Sequence, residues 1–125
     1  MIKAGVYCSK NKKQVKEIHG GGILKNSFYD HLCFYFPETI VGFYGGAKKW
    51  FSPYIKKSFR YSGHITFFND NKIQFIINDP DTEDKINFQG QASGNLLSIK
   101  ATRQSEPTII WLEDVFEYIG TGDNV

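Results

Sequence analysis

Among its 125 residues the chain has only two cysteines, one methionine and four prolines. Two cysteines, Cys8 and Cys33, are too few for a disulfide scaffold. They can pair only if the first two strands lie side by side; otherwise they are two small buried hydrophobes. No apolar run approaches the ~20 residues of a membrane-crossing helix. Met1 to Val6 lacks the apolar stretch of a leader peptide. The expectation is a soluble chain, cytoplasmic, or a mature secreted form whose leader has been removed. Histidine is scarce as well. His19, His31 and His64 show no metal-ligand spacing, and neither cysteine sits in a Cys-x-x-Cys pair. Gly20-Gly21-Gly22 and Gly45-Gly46 lack the Lys-Ser/Thr of a phosphate loop and read as turns. No Gly-x-Ser-x-Gly elbow exists. The sequence therefore offers no catalytic residues and predicts no metal, nucleotide or other cofactor. Asp79, Asp81, Glu83 and Asp84 form the one carboxylate cluster. It lacks the central Gly and terminal Glu of a calcium-binding EF-hand loop, and it reads as an acidic turn in solvent. His31 and His64 fall on polar strand faces, at the surface or a mouth.

Aromatic residues are plentiful: 11 Phe, 7 Tyr and 2 Trp. Charged residues at 22% and apolar ones at 41% exclude a disordered chain, and the length fits one domain over residues 1–125. The net charge of +2 is unevenly spread. Residues 1–60 carry 11 Lys and Arg against 3 Asp and Glu, a net of +8, while residues 61–125 carry 4 against 10, a net of −6. Such asymmetry marks either an anionic partner or lysine-solvated loops on strands that interleave in space.

The dominant pattern is alternation with a period of two, which belongs to strands with one apolar face. Phe59, Tyr61, Gly63, Ile65 and Phe67 alternate with Arg60, Ser62, His64 and Thr66. Asn69-Asp70-Asn71 is a turn. Ile73, Phe75 and Ile77 follow, then a break at Asp79-Pro80-Asp81. Ile86, Phe88 and Gly90 alternate with Asn87, Gln89 and Gln91. Gly94-Asn95 is a tight hairpin turn, and Leu97, Ile99 and Ala101 continue. After the turn at Ser105-Glu106-Pro107, Thr108 to Leu112 and Val115 to Ile119 read as the last strand or pair. In the first half, Ala4 to Cys8 is a strand, and Phe28 to Phe36 with Ile40 to Tyr44 is a hairpin around Pro37-Glu38-Thr39. Lys10 to His19 reads as two helical turns or a loop, with Val15 and Ile18 three apart. Trp50, Phe51, Tyr54 and Ile55 suit a short helix face with Ser52-Pro53 as its start.

About eight or nine strands joined by short turns, with no long helix for crossovers, predict an all-β antiparallel up-and-down meander. It closes as a barrel or stacks as a sandwich. Closure removes exposed edges and is favoured by glycines within strands at Gly42, Gly63 and Gly90.

Several stretches carry a further likeness: Gly5-Val6-Tyr7, Cys33-Phe34-Tyr35-Phe36, Pro37-Glu38-Thr39-Ile40-Val41, Tyr61-Ser62-Gly63-His64-Ile65, Asn71-Lys72-Ile73-Gln74-Phe75, Ile86-Asn87-Phe88-Gln89-Gly90 and Gly94-Asn95-Leu96-Leu97. Over roughly residues 4–119 this rhythm resembles the small lipocalin-like (calycin) barrels, with Gly5-x-Tyr7 standing where lipocalins have Gly-x-Trp. The resemblance implies a lipocalin-like barrel and, by extension, a small apolar or amphipathic ligand within it. The candidate lining at the mouth and interior is Trp50, Phe51, Tyr54, Tyr61, Phe75 and Phe88. A second reading is a non-enzymatic interaction module that binds a protein or polyanion through its basic-aromatic segment, with Lys48, Lys49, Lys56 and Lys57 flanking the aromatics. That segment reads as a plug over one barrel end, as a lid, or as a docking element for nucleic acid or an anionic membrane. A roomy, ring-lined cavity favours the ligand; a packed interior favours the partner.

Overall fold

The structure, a computed structural model, describes residues 2–11, 14–19, 23–28, 30–45 and 61–121. Among the described residues ten strands run in chain order: β1 (Gly5–Ser9), β2 (Gln14–His19), β3 (Ile23–Phe28), β4 (His31–Tyr35), β5 (Ile40–Tyr44), β6 (Tyr61–Phe68), β7 (Lys72–Asn78), β8 (Lys85–Ser93), β9 (Leu96–Arg103) and β10 (Glu106–Gly120). The described residues contain no helix. Eight strands close a barrel in the order β1-β10-β9-β8-β7-β6-β5-β4, every neighbouring pair antiparallel, and β2 pairs with β3 in a separate hairpin. The expected meander is therefore present, and it closes instead of stacking as a sandwich. The last strand returns to the first, so no edge strand is left in the barrel.

Alternation explains the walls. On β7 to β9, Ile73, Phe75, Ile77, Ile86, Phe88, Leu97, Ile99 and Ala101 are buried, while the residues between them are mostly exposed. Gly63 shows how tightly the wall is drawn: a Cβ there would sit 1.7 Å from the Ile76 carbonyl oxygen.

Several expectations are corrected. Residues 14–19 are strand β2, paired from Gln14↔Phe28 to His19↔Ile23; the helical spacing of Val15 and Ile18 yields to this cross-strand pairing. The expected strand from Phe28 to Phe36 is split, with Phe28 ending β3 and His31 starting β4. At the break the Asp30 amide donates to the Tyr44 carbonyl at 3.1 Å, and the Asp30 carbonyl accepts from the Ser9 amide at 2.7 Å. The last segment, expected as one strand or a pair, is one strand of 15 residues, whose register shifts absorb its extra length. β1 and β4 do lie side by side, but Val6 stands opposite Cys33 and His31 opposite Cys8, so both cysteines remain thiols.

Candidate functional site

Inside the barrel, rings meet across it. Phe34 on β4 touches Phe75 on β7 edge to face at 5.4 Å. Phe43 on β5 meets Phe88 on β8 at 5.7 Å and Phe116 on β10 at 6.5 Å. Phe75 and Phe88, directly paired on neighbouring strands, stack at 4.6 Å and 13°. None of the first three pairs joins adjacent strands, so these side chains bridge wall to wall. Of the residues expected to line a ligand site, Tyr61, Phe75 and Phe88 are buried in this cluster. Trp50, Phe51, Tyr54, Ile55, Lys48, Lys49, Lys56 and Lys57 lie outside the described residues.

The two ends of the barrel differ chemically. One is apolar: Ile2, Phe36 and Tyr118 pack on the core, and Phe36 meets Phe68 at 4.9 Å. The other, where β5 ends and β6 begins, has charged groups on inward positions. Arg103 follows Leu97, Ile99 and Ala101 on the inner face of β9, and its Nη2 lies 2.8 Å from Asp79 Oδ2. Its Nη1 reaches Asp84 Oδ2 at 3.4 Å, and its guanidinium sits 5.4 Å from the Trp111 ring. Burial pushes the Asp84 carboxyl upward, but the Ser105 hydroxyl, the Lys85 amide and Arg103 outweigh it and hold the group below its usual range. The acidic turn is thus only partly solvated. Asp79 is buried because it pairs with a cation inside the rim, which corrects the reading of all four carboxylates as exposed.

Asp114, between Leu112 and Phe116 on β10, is a second buried carboxylate. It accepts from the Ser9 hydroxyl, from Asn11 Nδ2 at 2.8 Å and from the Val115 amide at 2.7 Å. This ties the end of β1 to β10 at the seam that closes the barrel. The sequence does carry a signal for Arg103, Asp79 and Asp114. Arg103 and Asp114 stand on the apolar phase of their strands, and Asp79 takes the next position on that phase just past the end of β7, where a charge needs a buried partner.

His31 also departs from expectation: it is buried. Its Nδ1 donates to Asp30 Oδ1 at 2.6 Å, and its ring stacks on Tyr44 at 5.1 Å. Tyr44 in turn packs against a second, outer cluster over β1, β4 and β5 that includes Val6, Cys33 and Tyr35. His64 is exposed on the outer face, as its strand phase predicts.

The outer face of β6 to β9 is the other distinctive surface. Its outward positions are Ser62, His64, Thr66 and Phe67 on β6; Lys72, Gln74, Ile76 and Asn78 on β7; Lys85, Asn87, Gln89, Gln91 and Ser93 on β8; and Leu96, Ser98, Lys100 and Thr102 on β9. None is a carboxylate, although the chain has 13. One row runs Phe67, Gln74, Gln89, Lys100 across four strands and meets an acid only at Glu113 on β10. Lys72, Gln74, Gln89, Gln91, Ser98 and Lys100 line a shallow groove of about 350 Å³ on this face. Phe67 stands half exposed at its border.

Among the described residues, no three His, Cys, Asp or Glu side chains are placed to hold a metal ion, and no helix is long and apolar enough to cross a membrane. No protein-family model, no curated protein and no solved structure matches the chain.

Proposed function

We propose that this chain is a non-enzymatic interaction module that holds an extended polyanion on the outer face of β6 to β9. The observation that carries the reading is charge sign: Lys72, Lys85, Lys100 and His64 share a broad face that holds no carboxylate. Amide side chains between the lysines can hydrogen-bond to anionic oxygens, and the closed barrel keeps their spacing fixed. The lipocalin-like reading of the fold supports two uses of eight strands, enclosing a small ligand or enclosing side chains. Rings that touch from wall to wall favour the second. The small apolar ligand keeps one foothold, Phe68, which lies opposite inward-facing Ile73 at the apolar end and is half exposed.

The test is binding of labelled single-stranded DNA, used as a generic polyanion, followed by anisotropy across a salt series. The expected result is binding at low salt, with a slope of log affinity on log salt that falls by roughly 0.7 for each lysine removed. Lys72→Gln combined with Lys100→Gln should lower both affinity and slope. A second variant replaces Lys48, Lys49, Lys56 and Lys57 by Gln. If that variant alone abolishes binding while K72Q/K100Q changes nothing, the sheet face is not the site. Absence of binding at low salt also refutes the reading.

A further inference from the structure

The groove on the outer face of β7 to β9 is walled by two rows of side chains that run across the strands. One row is Lys72, Gln91 and Ser98; the other is Gln74, Gln89 and Lys100. All six are exposed. The floor between the rows is the backbone of Ile73 and Gly90, which pair with each other inside the sheet. Ile73 turns its side chain inward and Gly90 has none, so the floor offers a ligand shape and the walls offer it bonds.

What the walls can bond decides which polyanion fits. Gln74, Gln89 and Gln91 each carry an N–H donor and a C=O acceptor, and the Ser98 hydroxyl also does both, whereas the two lysines only donate. The oxygens of a phosphate backbone only accept, so they leave the three carboxamide carbonyls unused. Sugar hydroxyls donate and accept, and two neighbouring hydroxyls on one ring match both ends of a carboxamide.

The charges point the same way. Lys72 and Lys100 stand at opposite corners of the groove, two strand spacings and two residues apart, roughly 12 Å between their Cα atoms. Among the described residues no other cation lines it. A nucleic acid has a phosphate on every residue, and two lysines release too few counterions to hold it firmly at physiological salt. Single strands are also held by stacking successive bases on aromatic rings. Only Phe67 stands at the border, beside Gln74 and half exposed. One such ring suits the apolar face of a single sugar.

We infer that this groove takes an acidic polysaccharide that carries carboxylates on alternate sugars. Lys72 and Lys100 meet the carboxylates, Gln74, Gln89, Gln91 and Ser98 bond the hydroxyls between them, and Phe67 packs on a ring at the edge. The inference rests on the polyanion reading of the same face and narrows it to one class of polymer.

The experiment measures anisotropy of labelled hyaluronan oligosaccharide, labelled single-stranded DNA and labelled neutral dextran on the intact protein and on Gln74→Ala combined with Gln89→Ala. Both glutamines are exposed and outward, so the double variant keeps the fold. At low salt both anionic polymers should bind, and K72Q/K100Q should weaken both. At about 0.15 M salt hyaluronan should bind more tightly than DNA, and dextran should bind least. Q74A/Q89A should lower hyaluronan affinity about tenfold and change DNA affinity less than about twofold, since only the glycan uses both ends of each carboxamide. If neither anionic polymer binds at low salt, the polyanion reading itself fails. Three results would overturn the glycan inference and leave that reading standing: DNA binding at least as tightly as hyaluronan at 0.15 M salt, hyaluronan binding unchanged in Q74A/Q89A, or equal losses for both polymers in that variant. Dextran binding as tightly as hyaluronan would show that the carboxylates are not read, and would overturn it too.

Discussion

Replacing Phe88 by alanine tests whether the barrel is held together from the inside. Phe88 stacks on Phe75 at 4.6 Å, meets Phe43 at 5.7 Å across the barrel, and lies 6.2 Å from the Trp111 ring. It is 1% exposed. Truncation removes its transfer energy and leaves a void that the hydrogen-bonded walls cannot collapse to fill, so the loss is about 3–5 kcal/mol. A small domain commands about 5–15 kcal/mol in all, so this is a large share. With a urea slope of about 1.5 kcal/mol/M, the unfolding midpoint should fall by roughly 2–3 M. Phe75→Ala should behave alike, because Phe75 also bridges to Phe34 at 5.4 Å. The two share one stacked contact, so the double variant should lose less than the sum by about 0.5–1.5 kcal/mol. Phe67→Ala, on the outer face, should cost within about 0.5 kcal/mol. Urea melts followed by tryptophan fluorescence give all four numbers. Losses below about 1 kcal/mol for both F75A and F88A, or a loss at Phe67 equal to theirs, would refute the register that turns these side chains inward.

Other perturbations reach different parts of the fold. Gly63→Ala forces a Cβ onto the Ile76 carbonyl and should cost at least about 3 kcal/mol in a urea melt; Gly94→Ala has open space and only a left-handed backbone against it, about 1–2 kcal/mol. Asp79→Ala strands Arg103 inside the rim and should cost about 3–5 kcal/mol, whereas Asp79→Leu with Arg103→Met should recover most of it, as read by thermal melts of both variants. The Asp84 carboxyl is held below its ordinary value of 3.8, so its contribution is present above that pH and is lost as pH falls through its lowered folded value; acid titration of wild type against Asp84→Asn should show the variant losing less stability below about pH 4.

Much of this was legible in the sequence, and the parts that were not share a cause. β7 to β9 are long strands with strict alternation and clear turns, so their register, and with it the inward placement of Phe75 and Phe88, could be read from chain neighbours alone. β6 keeps its alternation only as far as Ile65: a register shift before Phe67 turns Phe67, expected on the apolar face, outward. β2 could not: Val15 and Ile18 lie three apart by chance, and only pairing with β3 decides between helix and strand. His31 and Asp79 were misread as exposed because a polar residue looks solvated until its partner is known. The partner of Asp79 lies on another strand, and the Tyr44 ring stacked on His31 lies on β5. The acid-free character of the outer face was hidden for the opposite reason. Residues 61–125 are acidic as a stretch, yet their carboxylates fall in turns, on β10, at inward positions and beyond the last strand, and none on the outward phase of β6 to β9.

The ring-bridged interior and the acid-free face are physically linked. A barrel that opened to admit a ligand would need slack in its walls, and slack would blur the spacing of groups on its outer surface. Here rings bridge β4 to β7, β5 to β8 and β5 to β10, and at one end the Arg103 guanidinium joins β9 to the carboxylates that flank the β7–β8 turn. These contacts fix the distance between opposite walls, and the cross-strand register then fixes the rows of side chains outside. Lys72 therefore stands beside Gln91, and Lys100 beside Gln89, as parts of a rigid plate. A rigid plate loses little conformational entropy when a partner settles on it, apart from the lysine side chains themselves. On this argument a core variant such as F88A should weaken polyanion binding at temperatures near its lowered melting point and leave it unchanged well below. Loss of binding in a still-folded F88A protein at low temperature would show that the face depends on more than the frame beneath it.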